Sequence, residues 1–319
     1  MKNRRFFYVP TYLLLLFVLI SSCNKKYAFS DGPWTTENAG ADSISFIVVG
    51  DWGKDGGEVQ KPVADQLDVF SKKFNAQFII STGDNFYPAG ISSVTDVHWK
   101  SSFENIYNKA GHQVSWYPVL GNHDYQSNPQ AEVDYSLQSS RWKLPARYHS
   151  FKKNINDSSS AQFVFTDTSP FVEEYYGRQM SDLKQQDTAA QIRWLSQTLS
   201  ESHDNWKIVI GHHPVYSVGK HGNTLELIQR FRPLLDQTRS DFYIAGHDHS
   251  LQDILMSDDP VHYLVSGAGA ENTYVHPNDH SLFARATPGF LVMTLYPHRA
   301  NFYFYNQRGE LLYRRQVLK

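Results

Sequence analysis

Short apolar runs alternate with segments of helical periodicity along the first two-thirds of the chain. Apolar side chains three or four residues apart, between Val59 and Phe70, predict a helix over residues 58–74. Two later segments of the same kind predict helices at 190–202 and 224–236. The continuous apolar runs between them predict buried strands at 43–50, 76–82, 115–121, 161–167, 206–211 and 241–246.

The last third of the chain is rich in strand-forming runs and has few helical interruptions. The runs VHYLVSG, FLVMTLY, NFYFYN and LLYRRQV predict four further strands. The segment KKNINDSSS at 152–160 is polar enough to predict a loop between strands. Because most strands read as apolar on both faces, they predict an α/β fold with two mixed β-sheets packed face to face and helices outside.

Composition favours one well-filled domain and excludes some function classes. The chain has 20 Phe, 19 Tyr and 7 Trp, which predicts an aromatic core. Its formal net charge is only −2, which does not fit a surface that follows a nucleic-acid backbone. No second linker follows residue 42, so residues 43–319 are predicted to form a single domain.

The N-terminal residues predict an export signal and a lipid anchor. Residues 1–22 combine the positive start MKNRR with an apolar stretch that is too short to span a bilayer, the form of a signal peptide. ISSC at 20–23 resembles the bacterial lipobox, which implies acylation of Cys23 and a polar tether over 23–42. The expected location is the bacterial cell envelope, outside the cytoplasm, in the periplasm or at the cell surface. An ordinary signal peptide with a chance cysteine is the alternative.

Five predicted strands end in a small residue followed by polar groups. Ligands bind beyond the carboxyl ends of strands in open α/β sheets, so these five segments are expected to converge. The motifs are DWG at 51–53, GDNFY at 83–87, GNHD at 121–124, GHHP at 211–214 and GHDH at 246–249. Because Cys23 is the only cysteine, thiolate metal sites are excluded, and carboxylate, amide and imidazole groups suit a pair of hard or borderline metal ions.

This set of motifs, extended to GHHPVYS at 211–217 and GHDHSLQ at 246–252, resembles the purple acid phosphatases. It is most similar to the small tartrate-resistant acid phosphatases, within the calcineurin-like metallophosphoesterase superfamily. The resemblance implies a metallophosphoesterase catalytic domain over 43–319, with the four-layer α/β/β/α sandwich of that superfamily. It also implies a binuclear metal centre that contains Fe(III) and a divalent ion, either iron, zinc or manganese.

The resemblance assigns ligand roles on the ferric side of this centre. Asp51, Tyr87 and His249 would bind the ferric ion, and Asp84 would bridge it to the divalent ion. A phenolate is a hard anionic donor that favours a trivalent ion over zinc or magnesium. Tyr87 is therefore the residue that separates this predicted site from those of other metallophosphatases.

The resemblance places Asn122, His212 and His247 on the divalent ion. His213 stands where many relatives have tyrosine, and it is expected to support the site rather than to bind metal.

Three further residues belong to the same motifs or lie near them. His123 and His221 resemble the histidines that contact phosphate and aid protonation of the leaving group, and Asp124 is expected to orient His123. Lys220 stands where the family commonly has an acidic residue, which predicts stronger phosphate binding or a higher pH optimum. The segment 167–187 matches the position of a family loop near the active-site entrance.

The resulting prediction is an acid phosphatase that hydrolyses phosphomonoesters by direct attack of metal-bound hydroxide. Small phosphomonoesters or phosphoproteins are the expected substrates, and the expected state is a monomer. Two alternatives stay open: a phosphodiesterase or nucleotidase on the same fold, and a non-catalytic lipoprotein that binds phosphate or a partner. The remaining histidines are expected to be structural or to lie at the surface, namely His98, His112, His149, His203, His262, His276, His280 and His298.

Overall fold

The computed structural model describes residue 40 and residues 42–319. The predicted signal peptide over 1–22, Cys23 and the tether over 23–42, apart from residues 40 and 42, lie outside the described residues. Within the described part of the chain, no helix is both long and apolar enough to cross a bilayer.

The described residues contain five α-helices and thirteen strands. The helices are α1 (Gln60–Lys73), α2 (Pro129–Tyr135), α3 (Thr188–Ser200), α4 (Leu225–Arg230) and α5 (Arg232–Gln237). The strands are β1 (Ile44–Val49), β2 (Phe78–Ser81), β3 (Ser115–Pro118), β4 (His149–Asn156), β5 (Ser159–Phe165), β6 (Trp206–Ile210), β7 (Phe242–Ala245), β8 (Leu251–Leu255), β9 (His262–Ser266), β10 (Ser281–Arg285), β11 (Gly289–Leu295), β12 (Arg299–Asn306) and β13 (Leu311–Leu318).

The strands form two mixed sheets. The first sheet has the order β13-β12-β11-β1-β2-β3, in which β1, β2 and β3 are parallel and β11 runs antiparallel to β1. The second sheet has the order β10-β8-β9-β7-β6-β5-β4, with a parallel centre of β5, β6, β7 and β9. The two parallel centres are what bring several carboxyl ends to one edge of each sheet.

The two sheets pack face to face through an aromatic core. The rings of Phe46 and Phe78 stack at 5.1 Å between centroids, and Phe163 from the other sheet meets both of them edge-on at 5.3 and 5.2 Å. The outer face of the first sheet buries α1 residues such as Leu67, and that of the second buries α3 residues such as Leu195. Helices, two sheets and helices therefore form four layers, which confirms the predicted sandwich.

Two local predictions were wrong, and each has a physical reason. Residues 152–160 are not a loop, because β4 and β5 pair as an antiparallel hairpin through most of this segment. Strand β4 lies at the edge of its sheet and most of its residues are only half-buried, so it carries polar residues. The predicted helix over 224–236 is divided at Phe231 into α4 and α5, since Pro233 has no N–H to continue the helical hydrogen bonds. Strands β8 and β10 and helix α2 were not predicted from the sequence.

His112 is a fully buried histidine outside the strand-end motifs, as expected for a structural role. Its Nε2 lies 2.9 Å from the carbonyl oxygen of Ala64, and among the described residues its Nδ1 has no hydrogen-bond partner. Burial lowers the pKa of His112 to about 4. The folded protein therefore holds this imidazole neutral.

The His112→Gln variant is expected to flatten the acid side of the stability curve. Because the folded pKa lies below the unfolded pKa, His112's contribution is fully present above about pH 6.5 and is lost as the pH falls toward about 4. Gln keeps a donor for the Ala64 carbonyl, and it should reduce the loss of unfolding free energy between pH 7.5 and 4.5 by about 2–3 kcal/mol. Denaturant unfolding of both proteins across this pH range measures the difference, and parallel curves would contradict it.

Candidate metal centre

The five motif segments meet at the carboxyl ends of β1, β2, β3, β6 and β7. Small residues are needed there because the segments approach each other closely. A Cβ on Gly121 would lie 2.1 Å from Oδ1 of Asp84, and a Cβ on Gly246 would lie 2.5 Å from Oδ2 of Asp51. The glycines that introduced the motifs therefore make room for the carboxylates of the neighbouring loops.

Three of the predicted ligands have left-handed backbone conformations. The φ angles are 58° at Asp51, 48° at Asp84 and 65° at His247. Such angles are uncommon outside glycine, are tolerated best by Asp, Asn and His, and tend to occur at functional sites. At these three positions the backbone turns so that the side chains of Asp51, Asp84 and His247 point into the same region.

The Tyr87 hydroxyl is the centre of one group of donor atoms. It lies 3.2 Å from Oδ1 of Asp51, 3.1 Å from Oδ2 of Asp84 and 3.1 Å from Nε2 of His249. Tyr87 is 8% exposed. The structure thus brings together the four residues predicted for the ferric side.

Nε2 of His212 is the centre of a second group. It lies 3.2 Å from Oδ1 of Asn122, 3.2 Å from Nδ1 of His247 and 3.4 Å from Oδ1 of Asp84. Asp84 belongs to both groups, since its Oδ2 faces Tyr87 and its Oδ1 faces His212. This is the arrangement that a carboxylate bridge between two ions requires.

The donor atoms are arranged as cations require. Ligand atoms of Asp51, Asp84 and His212 lie within 4.8 Å of one another, and so do those of His212, His213 and His247. Burial, reinforced by the charges of Asp84 and Asp51, raises the pKa of the Tyr87 hydroxyl well above its usual value, and burial also raises the pKa of Asp51. Without a metal ion, the protein environment therefore disfavours the anionic forms of Tyr87 and Asp51, and bound cations would favour them. The residues fit a binuclear metal centre.

His213 lies within reach of this centre, but its ring is already engaged. Its Nδ1 lies 2.8 Å from Oγ1 of Thr168, and its Nε2 lies 2.9 Å from the hydroxyl of Tyr175. Both nitrogens therefore contact protein groups, in agreement with a supporting role. Tyr175 belongs to the predicted entrance segment 167–187, so His213 connects that segment to the metal-binding loop.

Hydrogen bonds on the far side fix the orientation of two predicted ligands. Nδ1 of His212 lies 2.8 Å from the carbonyl oxygen of Thr82, and Nδ1 of His249 lies 2.7 Å from Oε1 of Glu271. Such partners hold the proton on Nδ1 and leave Nε2 free for a metal. Sequence reasoning missed Glu271, although it follows the small residues after β9 and so carries the same signal as the other strand ends.

The residues predicted to handle substrate lie at the mouth of the site. His123 and His221 line a cavity of about 480 Å³ together with Asn122 and His247. The His123 backbone N–H donates to Oδ1 of Asp84 at 2.8 Å, and its Nδ1 contacts the Pro88 carbonyl oxygen. The cavity therefore opens directly onto the group of donor atoms around His212.

Asp124 contacts the backbone of two motif segments, whereas it was expected to orient His123. Its carboxylate accepts from the N–H groups of Gly121 at 2.8 Å and of Asn85 at 2.9 Å. In the described structure, the His123 imidazole has the Pro88 carbonyl as its closest partner and makes no hydrogen bond to Asp124. Asp124 therefore holds the GDNFY and GNHD segments against each other.

Residues 44–251 match the Calcineurin-like phosphoesterase family model. The chain belongs to the calcineurin-like phosphoesterase family. It is 35% identical over 286 residues to "Purple acid phosphatase 17" of Arabidopsis thaliana, covering 85% of this chain and 83% of that protein. It is 32% identical over 243 residues to human "Tartrate-resistant acid phosphatase type 5", covering 71% of this chain and 73% of that protein. These relatives confirm the predicted resemblance to the purple acid phosphatases.

Solved structures show the same fold. The Plasmodium protein described as "GAP50 the anchor in the inner membrane complex" is 26% identical, with a TM-score of 0.77, covering 86% of this chain and 89% of that chain. The yellow lupin purple acid phosphatase PPD1 has a TM-score of 0.65 at 14% identity, covering 86% of this chain and 54% of that one. The lupin structure supports the fold alone.

A matched pair of variants separates the two neighbouring histidines. His212→Asn removes the nitrogen at the centre of one donor group, and we expect purified protein to lose at least one metal ion per chain. His213→Asn removes hydrogen bonds to Thr168 and Tyr175 only, and it should keep the wild-type metal content. Elemental analysis after dialysis measures both. Equal metal loss in the two variants would assign His213 to the metal.

Proposed function

We propose that the protein is a binuclear-metal acid phosphatase that hydrolyses phosphomonoesters. The observation that carries this proposal is the position of Asp84, whose two carboxylate oxygens face two separate groups of donor atoms. The relatives named as purple acid and tartrate-resistant acid phosphatases support the same reaction. Small phosphomonoesters or phosphoproteins are the proposed substrates.

We infer Fe(III) on the Tyr87 side and a divalent iron, zinc or manganese ion on the His212 side. Tyr87, Asp51 and His249 offer a phenol, a carboxylate and one imidazole, a harder set than the other side, which offers an amide and two imidazoles. When bound, such a metal pair supplies Lewis acidity and activates water as the nucleophile.

The chain's own residues position the substrate at the cavity mouth. His123 is 32% exposed in its side chain, and its Nε2 lies 4.0 Å from Oδ2 of Asp84, where it can donate to a phosphoryl oxygen. The backbone N–H of His221 donates to Oδ1 of Asp248 at 2.7 Å, and its ring lies 4.3 Å from that of His247. His221 is thereby held where it can protonate a leaving oxygen.

The charge state of His221 favours catalysis in acid. Burial lowers the pKa of His221 and the charge of Lys220 lowers it further, while Asp248 opposes both. The imidazole is therefore a proton donor mainly at low pH, so through His221, Lys220 favours an acidic optimum and not the higher optimum expected from the sequence. Lys220 itself is exposed and is the neighbour in sequence of the cavity-lining His221, so its charge also attracts phosphate.

Substrate preference and dependence on Asp84 test the proposal together. Asp84→Asn keeps a residue that tolerates the left-handed backbone but removes the bridging charge, and it should lower turnover of an aryl phosphomonoester at least about 1000-fold. Parallel assays with aryl monoesters and diesters give the preference. A diester preference would favour a phosphodiesterase or nucleotidase, and undiminished turnover in Asp84→Asn would overturn the metal mechanism.

A non-catalytic role is the second candidate, because one structural relative is described as an anchor. The complete donor set around Tyr87 and His212 favours catalysis, since a protein that only binds a partner has no need of two convergent metal groups. Purified, metal-loaded protein without activity on either class of ester would favour the anchoring role.

We further propose a lipid anchor at Cys23, in the bacterial cell envelope. The basis is the ISSC segment after a positive start and an apolar stretch. Cys23→Ser should move the protein from the membrane fraction to the soluble envelope fraction and abolish labelling with a radioactive fatty acid. A wild-type protein that is soluble and unlabelled would support the ordinary signal peptide.

A further inference from the structure

Two residues outside the five motifs, Lys54 and Glu271, contact members of the donor group around Tyr87. Lys54 contacts Tyr87, and Glu271 contacts His249. Lys54 follows the DWG motif, and Glu271 lies in the loop after β9. Nζ of Lys54 lies 4.7 Å from the centroid of the Tyr87 ring, and Oε1 of Glu271 lies 2.7 Å from Nδ1 of His249. Lys54 and Glu271 also form an ion pair with each other.

These contacts close a ring of interactions around the predicted ferric side. The ring runs from the Tyr87 hydroxyl to His249, then to Glu271, to Lys54, and back to the Tyr87 ring. The ion pair stands apart from an ordinary surface pair because both of its members also touch predicted metal ligands. A change in either charge is therefore expected to reach the metal.

Local hydrogen bonds hold both charged residues in place. The Lys54 backbone N–H donates at 3.0 Å to Oε1 of Gln60, a side chain with no exposed surface. The loop that carries Glu271 is tied to the His249 loop, because the Thr273 N–H donates to the His249 carbonyl oxygen at 2.8 Å. The geometry of the ring therefore does not depend on the ion pair alone.

The two charges act in opposite directions on a bound ferric ion. Glu271 accepts a hydrogen bond from the Nδ1–H of His249, which makes the imidazole a stronger metal donor and stabilises the higher oxidation state. The Lys54 cation lies over the ring of Tyr87, where it attracts electron density away from a phenolate and destabilises that state. With both present, the two charges largely cancel.

We propose that Lys54 and Glu271 are positioning residues that set the reduction potential of the iron bound by Tyr87. Lys54 raises this potential and Glu271 lowers it, and the ion pair keeps their effects balanced. This inference rests on the proposed ferric site.

The experiment uses purified protein loaded with iron and zinc, so that the Tyr87-side iron is the one redox-active ion. The tyrosinate–Fe(III) charge-transfer band reports that Tyr87 is bound, and its bleaching during a spectroelectrochemical titration gives the potential. We expect Lys54→Met to shift the potential downward and Glu271→Gln, which keeps the hydrogen-bonding shape, to shift it upward. The double variant should return close to wild type, and Lys54→Arg should retain the wild-type potential.

Lys109→Met is the matched control, because Lys109 forms a similar ion pair with Asp65 on α1. It should leave the potential unchanged. Shifts of the same sign in Lys54→Met and Glu271→Gln, or no shift in either at matched iron content, would overturn the inference while leaving the proposed phosphatase intact. A wild-type protein without the charge-transfer band would instead refute the ferric site, and this inference with it.

Discussion

The two oxygens of the Asp84 carboxylate are the constraint on which the site depends. One oxygen faces the Tyr87 hydroxyl and the other faces His212, so this single side chain determines the spacing of both donor groups. Burial disfavours the charge on Asp84, but the charges and hydrogen bonds of His212 and His123 outweigh burial and lower its pKa. The carboxylate therefore stays ionised in a place where few carboxylates would, which is the condition for bridging two cations.

The rest of the fold supports that one side chain. Two sheets with parallel centres bring five strand ends to one region, and the aromatic core of Phe46, Phe78 and Phe163 sets the distance between the sheets. Behind the site, Asp124 accepts hydrogen bonds from backbone N–H groups of both the GDNFY and the GNHD segments. The loop that carries Asp84 therefore cannot move independently of the loop that carries Asn122. The two sheets bring the motif loops together, and buried hydrogen bonds then fix the positions of these loops relative to each other.

Most of the layer architecture and the set of donor residues could be predicted from the sequence, because both depend on short sequence patterns at and around the strand ends. Apolar runs followed by small and polar residues mark strand ends, and the side chains at those ends are themselves the site. Strand β4 could not be found this way, since this half-buried edge strand has no apolar run in its sequence. Nor could the Lys54–Glu271 pair or the contacts of His213 with Thr168 and Tyr175, which depend on which loops lie side by side.

The left-handed backbone at Asp51, Asp84 and His247 limits which residues can replace these predicted ligands when catalysis is no longer selected for. A chain released from selection for catalysis still has to satisfy those φ angles, and the residues that do so at low cost are Gly, Asn, Asp and His. Metal ligands should therefore drift toward Asn or Gly rather than toward apolar residues. A descendant that has Asn at these positions would look almost intact in an alignment although its metal binding is lost, so Asn there reports the shape of the loop and not the presence of an enzyme.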